Sequence, residues 1–512
     1  MAGAFPLMDN DNRLHRSKSS WWWIAIPILV FAVLRLPTVV HSPGMQDEQW
    51  FAVPGWTVWN EGVPRIPYVP TRHRDTLFEN ADRCLMTLPP ALHYFQAPFH
   101  AVFSPGYSTS RLPLFFGALI SIAITFGFAK RIGASTGSAL LAALLMAVCR
   151  PLMFTGTVTR PDLLCAVCGW STIILLWRYF DAPRFGTLVA SGLMCGLGGL
   201  FHPFAIVFAM QSGVAMVAAG PGIVTIVKRL ATFGISCAAA ISLWVPLVIR
   251  FPEEFRSQFF ANVIDRAGPG LPSRLIWPWP SIDHHAGLLM EFVGPWQLLF
   301  FGIALVGASW ISFYHWPRHQ AVGFVALLWS SVFLTAVVAG IHPTKGYWVY
   351  PCVWILAGLA IALDRLLRNQ STMKRRLALA IVAAVSGLMM FPGCGIRSTY
   401  LYLTHWGDPS YHGRAFIADV LSDLPEEGLF LADLSYVYDI YLSGRTTILC
   451  QERAQYWGDQ ELDYEAILLA WEGNDANWPE QYNAIRSKRI GSDQPIQKCF
   501  VDIYKQKGVT DE

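Results

Sequence analysis

Apolar runs of near-bilayer length recur along this chain from residue 21 to about residue 392, divided by polar turns, and then stop. A run of about twenty apolar residues crosses a hydrocarbon core as a helix, because only a helix satisfies its own backbone there. The runs at 21–40, 111–130, 135–149, 162–177, 187–201, 204–219, 231–248, 288–314, 321–340, 347–363 and 377–392 predict about eleven such helices. From residue 397 onward the pattern is that of a water-soluble unit. Short apolar runs at 428–432, 446–450, 464–471 and 498–504 predict strands, and 436–442 predicts a helix stopped by Gly444. The expected fold is therefore an all-α polytopic membrane protein with a small C-terminal α/β extramembrane domain. Its expected units are a cytoplasmic tail at 1–20, a membrane domain at 21–396 with long outer loops at 41–110 and 250–287, and a domain at 397–512.

Composition agrees: 54% of residues are hydrophobic and 14% charged, against about a quarter charged in an ordinary soluble chain. A net charge of +3 and the absence of a basic tract interleaved with aromatics exclude a nucleic-acid partner.

Lys and Arg in short loops set the orientation. Alternating the spans puts Arg13, Arg16 and Lys18 on one side. Lys130, Arg131, Arg178, Arg184, Lys228, Arg229, Arg318 and the cluster Arg365, Arg368, Lys374, Arg375 and Arg376 fall on that same side. This is the cytoplasmic side, which places the C-terminal domain outside. The first run is longer than a signal-peptide core and is expected to stay as an uncleaved anchor.

Both outer loops carry chemistry. The first, 41–110, is rich in Pro and aromatics; Trp50, Phe51, Trp56 and Trp59 suit a segment lying at the membrane interface, with Pro54 at a helix start or kink. The second carries Arg250, Arg256, Arg266 and Arg274. Of ten cysteines, Cys165 and Cys168 form a CxxC inside an apolar run, where packing is the reading. Cys450 and Cys499 fall in the outer domain, where an oxidising compartment would allow them to pair.

Four outer turns bring ionisable groups to one depth: Asp47-Glu48, Arg160-Pro-Asp162, His202-Pro203 and His342-Pro-Thr-Lys345-Gly-Tyr347. Each has a plain structural reading. Asp47 and Asp162 suit helix starts, Arg160 reaches toward water, and His202 packs. Carboxylates at the hydrocarbon edge also suit a general base, and cations there suit a phosphate.

The order of these pieces resembles the GT-C glycosyltransferases, most closely the dolichyl-phosphate-mannose protein mannosyltransferase and aminoarabinose transferase group. Pro43-Gly-Met-Gln-Asp47-Glu48-Gln-Trp-Phe and Gly62-Val-Pro64 resemble the first outer loop. Leu88-Pro-Pro-Ala-Leu-His-Tyr94, Ala97-Pro-Phe99, Ser110-Arg-Leu-Pro113, Thr159-Arg-Pro-Asp162, Leu200-Phe-His-Pro203 and Lys345-Gly-Tyr-Trp-Val-Tyr-Pro351 are similar to later family segments.

The resemblance implies transfer of a sugar from a polyprenyl-phosphate donor to a lipid, glycan or protein acceptor at the outer face of a bacterial inner or plasma membrane. It implies Asp47 as base with Glu48 beside it. Lys345, Arg160 and Tyr347 would serve the donor phosphate; Asp162, His202 and His342 would serve substrate or a divalent cation. No metal-ligand spacing is visible. Leu85-Met-Thr-Leu88 replaces the acid and lysine of the aminoarabinose branch, which leaves the acceptor open. Two other classes fit a helical membrane chain: a non-catalytic scaffold presenting the C-terminal domain, and a secondary transporter. The transporter would show paired interrupted helices and midplane charges.

Overall fold

The computed structural model describes residues 22–72, 77–265, 270–451, 457, 462–471 and 477–507. Arg13, Arg16, Lys18 and Arg266 lie outside the described residues. Among the described residues, seven helices are long and apolar enough to cross a membrane. These are Trp22–His41, Tyr107–Arg131, Asp162–Asp181, Ile223–Arg250, Trp279–His315, Gln320–Ala339 and Gly346–Leu366. Thr136–Val148, Phe185–Phe201, Pro203–Ala218 and Thr372–Met390 fall on the remaining expected spans. The chain is an integral membrane protein.

The shorter helices have local causes. Thr136–Val148 is about 20 Å long by helical rise, less than the hydrocarbon thickness. It breaks at Cys149, ahead of Pro151, and the path continues as Arg150–Thr155. Gly294, at φ 78°, breaks the Trp279–His315 run before Pro295. Gly346–Leu366 is the central helix, with 94% of its apolar window buried against its neighbours.

Polar contacts sort the two ends of the bundle. At one end Asp364 accepts from the Ser135 backbone amide and from the Ser135 and Ser138 hydroxyls, each hydroxyl at 2.6 Å; it also pairs with Arg375 at 2.6 Å. Arg131 pairs with Asp181 at the same end. These are the basic short loops that the alternation of charge grouped together.

At the opposite end the first outer loop folds into the helices Glu48–Phe51, Val53–Glu61 and Ala91–Val102. Pro54 sits in the first turn of its helix, where its missing N–H costs nothing. The second outer loop is pinned on the first. Gln258 accepts from the Met86 amide at 2.7 Å and donates to the Cys84 carbonyl at 2.9 Å; Asn262 donates to the Thr87 carbonyl at 3.0 Å.

After the last span the chain builds a five-stranded mixed sheet. β1 (Leu429–Ala432), β2 (Thr446–Leu449), β3 (Ala466–Leu469), β4 (Ala484–Gly491) and β5 (Phe500–Gln506) run in the order β2-β1-β3-β5-β4. β1 is parallel to β2 and β3, and β5 is antiparallel to β3 and β4. Four of these strands match the expected runs. β4 was missed, because it is an exposed, basic edge strand with Arg486, Lys488 and Arg489 and no apolar alternation. The Cys450–Cys499 pairing that the sequence left open is not made: both are free, buried thiols. Cys450 follows β2 and Cys499 precedes β5, which stand three sheet positions apart. That separation is on the order of 14 Å, beyond disulfide reach. Cys165 and Cys168 are also free and buried in the core.

The sheet rests on the outer loops. The Gly44 amide donates to the Ser435 carbonyl at 2.9 Å, Tyr107 Oη to the Leu434 carbonyl at 2.5 Å, and the Leu449 amide to the Tyr68 carbonyl at 2.9 Å.

Candidate active site

The turn Pro43–Glu48 carries two acidic neighbours into different surroundings. Successive helical residues point about 100° apart, so Asp47 and Glu48 at the start of Glu48–Phe51 cannot share a face. The Asp47 side chain is 42% exposed and lines a cavity of about 450 Å3; the Glu48 side chain is 0% exposed. Arg111 Nε donates to Glu48 Oε1 at 2.8 Å, and its Nη2 pairs with Oε2. The Met45 amide reaches Oε2 at 2.9 Å, and the Thr159 amide reaches Oε1 at 2.8 Å. Arg111 spends its remaining hydrogens on the Ser42 and Pro43 carbonyls. Glu48, expected beside Asp47 as a second catalytic acid, is thus enclosed and ties three segments together.

Arg160 organises the open side. Its Nη1 pairs with Asp47 and its Nε donates to Asp162 Oδ2 at 2.8 Å, so one guanidinium spans the two carboxylates. Asp162 is fully buried, and its Oδ1 has no hydrogen-bond partner among the described residues. Gly346 lets this cluster close: a Cβ there would stand 2.7 Å from Asp162 Oδ2.

His202 and Tyr347 line the same cavity, with ring centroids 5.4 Å apart; Tyr347 stacks on Phe204 at 4.0 Å. The Phe204 amide donates to His202 Nδ1 at 3.1 Å, which places the hydrogen of the neutral ring on Nε2. Burial lowers the His202 pKa to about 4, with Asp162 opposing and Arg160 assisting, so the ring is neutral at pH 7. His342 is also on the wall, its Nδ1 2.6 Å from Thr344 Oγ1.

Asp47, Arg160, His202, His342 and Tyr347 thus meet on the wall of one cavity, with Asp162 held against Arg160. Lys345 stands apart. Its ammonium is 2.6 Å from Glu291 Oε1, and it does not line the cavity.

The second cavity cation is Arg274, which donates to the Val338 carbonyl at 2.7 Å and whose buried Nε has no partner among the described residues. Sequence reasoning named Arg274 only as one of four loop arginines, and nothing local set it apart from the other three.

Among the described residues no group of three or more His, Cys, Asp or Glu side chains could hold an ion. Arg160 already pairs with both Asp47 and Asp162.

A family model described as dolichyl-phosphate-mannose-protein mannosyltransferase matches residues 87–249. The fold as a whole matches solved structures. For ArnT from Cupriavidus metallidurans bound to undecaprenyl phosphate, the TM-score is 0.62 at 13% identity, over 97% of this chain and 100% of that one. Its apo form matches at 0.58 and 14% identity, over 95% and 98%. Archaeal oligosaccharyltransferase AglB from Archaeoglobus fulgidus, in complex with an inhibitory peptide and a dolichol-phosphate, matches at 0.51 and 12% identity, over 88% and 69%. No curated protein sequence matches. The chain has the fold of the GT-C membrane glycosyltransferases, and the superfamily resemblance read from its motifs is supported.

Proposed function

We propose that this chain transfers a sugar from a polyprenyl-phosphate donor to an acceptor hydroxyl or amine, with Asp47 as general base, at the non-cytoplasmic face of the membrane. The observation that carries this reading is the guanidinium of Arg160 held between Asp47 and Asp162 on the wall of the cavity. In the resting arrangement Arg160 occupies an oxygen of Asp47. A donor phosphate entering beside Arg160 and Arg274 competes for that guanidinium, since charge-assisted pairing to phosphate is strong at a partly dry site. Asp47 is then released toward the acceptor. The acceptor oxygen or nitrogen forms its bond to the anomeric carbon as the bond from that carbon to the phosphate oxygen breaks. Asp47 takes the acceptor proton, and polyprenyl phosphate leaves against the guanidinium charge.

Asp162 is placed to orient Arg160, neutral His202 to donate through Nε2, and Tyr347 to offer an aromatic face. Glu48 acts here through Arg111, holding the turn that carries Asp47. No step is routed through a metal. The grouping of the basic short loops at the opposite end of the bundle supports a cytoplasmic N-terminus and an outward-facing sheet.

The test is purified Asp47→Asn protein assayed for sugar release and transfer from a panel of polyprenyl-phosphate sugars. A general base is worth about 10²- to 10⁴-fold, so kcat should fall by that factor while donor binding is kept or tightened, since Arg160 loses its resting partner. Wild-type turnover in the variant refutes the assignment.

A further inference from the structure

The C-terminal sheet has the topology of a ligand-binding fold, with its binding edge turned onto the outer loops. β1 lies between β2 and β3 and runs parallel to both. The chain leaves the carboxyl end of β1 toward β2, and that of β3 toward β4 on the other side. Connections that diverge in this way open a crevice at the carboxyl ends, where parallel sheets usually take a ligand. Asp433 sits there, directly after β1, and is fully buried. Its Oδ1 accepts from the Ser435 amide at 3.0 Å and its Oδ2 from the Ala470 amide, just past β3, at 2.7 Å. The carboxylate thus stiffens the loop 433–436, which presents the Leu434 and Ser435 carbonyls.

The crevice is filled by the segment just ahead of Asp47. Ser435 accepts from the Gly44 amide, and Leu434 from Tyr107 Oη. A Cβ on Gly44 would collide with the Leu434 oxygen and stand 2.6 Å from Tyr107 Cζ, so a side chain has no room here. One residue earlier, Pro43 abuts the helix Gly413–Ser422: a Cβ on Gly413 would stand 2.8 Å from Pro43 Cα. The buried His41 ring meets Trp406 at 4.2 Å and His412 at 4.9 Å between centroids.

The membrane helices hold the other side of this segment, through Arg111 and the Ser42 and Pro43 carbonyls. Tyr107 joins the two sides, since the Arg111 guanidinium lies 5.6 Å from its ring centroid while its hydroxyl reaches the sheet. Little slack remains between Gly44 and Asp47. The Met45 amide is tied to Glu48 at 2.9 Å, and Gln46 is in the left-handed region at φ 54°. A shift at Gly44 is therefore passed on to Asp47, and a reacting group displaced by about 1 Å can cost on the order of 100-fold in rate.

We infer that the C-terminal sheet region is a positioning element for the general base: its crevice takes Pro43-Gly44 as an internal ligand and sets where Asp47 stands. Tyr107 and Gly413 are the positioning residues, and neither lines the cavity that Asp47 faces. The inference rests on the reading of Asp47 as base.

The experiment uses full-length protein in detergent and measures turnover of a polyprenyl-phosphate sugar, retention of undecaprenyl phosphate by native mass spectrometry, and melting temperature. Tyr107→Phe removes one hydroxyl and keeps the ring. Gly413→Ala pushes on Pro43 from the opposite element. Gly407→Ala, in open space six residues before Gly413, is the control and should keep parental turnover. Tyr107→Phe and Gly413→Ala should each lower kcat by about 5- to 50-fold. Undecaprenyl phosphate affinity should stay within about twofold in both, because the donor cavity is untouched.

Each substitution is then repeated on Asp47→Asn. A residue that acts by placing the base costs nothing once the base is gone, so both effects should shrink to less than about twofold. A residue that merely supports the fold costs the same factor in either background. Equal factors in the two backgrounds, parental kcat in both Tyr107→Phe and Gly413→Ala, or an equal fall in Gly407→Ala each overturns the inference. Wild-type turnover in Asp47→Asn itself refutes the base assignment and the inference with it. An inactive Asp47→Asn beside parental Tyr107→Phe and Gly413→Ala refutes the inference alone.

Discussion

Two arginine–carboxylate clusters lie within one turn of each other at the outer end of this bundle, and they differ in what is left over. Arg111 and Glu48 are both fully buried, and every strong contact each makes is internal, to the other, to amides or to carbonyls. Arg160 with Asp47 and Asp162 uses the same chemistry but remains incomplete. Asp47 is half exposed, Asp162 keeps one oxygen without a partner among the described residues, and the guanidinium borders a cavity. A saturated pair can only hold shape, whereas an unsaturated one has capacity to exchange partners. In such a pair of clusters the site is marked by missing contacts, and its scaffold by their completeness.

The largest effect is expected where the sealed pair is broken. Arg111→Ala leaves Glu48 as a buried charge without its cation, a loss of about 3–5 kcal/mol in such sites. The detergent-solubilised variant should therefore melt far below the parent or fail to yield monodisperse protein. Near-parental melting would erase the distinction between the two clusters.

The next effect belongs to the open cluster. Arg160→Lys keeps one positive charge but cannot bridge two carboxylates, since an ammonium lacks the planar fork. The melting temperature should stay close to the parent's, while kcat/KM for a polyprenyl-phosphate sugar falls by about 10- to 100-fold, the value of one preorganised charge contact. Lys345→Ala is the matched comparison. Its ammonium is already engaged by an exposed Glu291, and exposed pairs are worth at most about 1 kcal/mol. A loss in Lys345→Ala as large as that in Arg160→Lys would return the phosphate-binding role to Lys345.

How much of this was legible beforehand depends on the kind of signal. The spans were readable because lipid imposes one rule on every residue facing it, and strands β1, β2, β3 and β5 because each is a short apolar run. The order of the turns that carry Asp47, Arg160, His202 and Tyr347 was readable through motif resemblance. The direction in which a side chain points was not. Asp47 and Glu48 are chemically alike and adjacent, and only the helix start at Glu48 sends one into the core and the other to a cavity. Lys345 finds its partner 54 residues upstream, in a run expected simply to cross the membrane. Arg274 is distinguished from Arg250 and Arg256 by the fold of a long loop, which carries no periodicity to read.

The smallest effect concerns a third acid that extends the series. Asp439, in the Val437–Leu442 helix of the C-terminal sheet region, is buried against the first outer loop and has no ion pair within 4 Å among the described residues. Burial raises its pKa from 3.8 to about 7, opposed by Arg414 and, more weakly, by Arg111; Tyr68, Tyr107 and Tyr438 surround it. The folded state therefore holds a proton that the unfolded chain releases near pH 4. Its contribution to stability is complete below that pH, declines as pH rises through the window from about 4 to about 7, and is gone above it. Between pH 5 and 7 the decline should be on the order of 2 kcal/mol, read as a falling melting temperature. Asp439→Asn, isosteric and uncharged, should flatten that slope. A slope in Asp439→Asn as steep as the parent's would mean that another buried group holds that proton, and the series of acids would end at the two clusters.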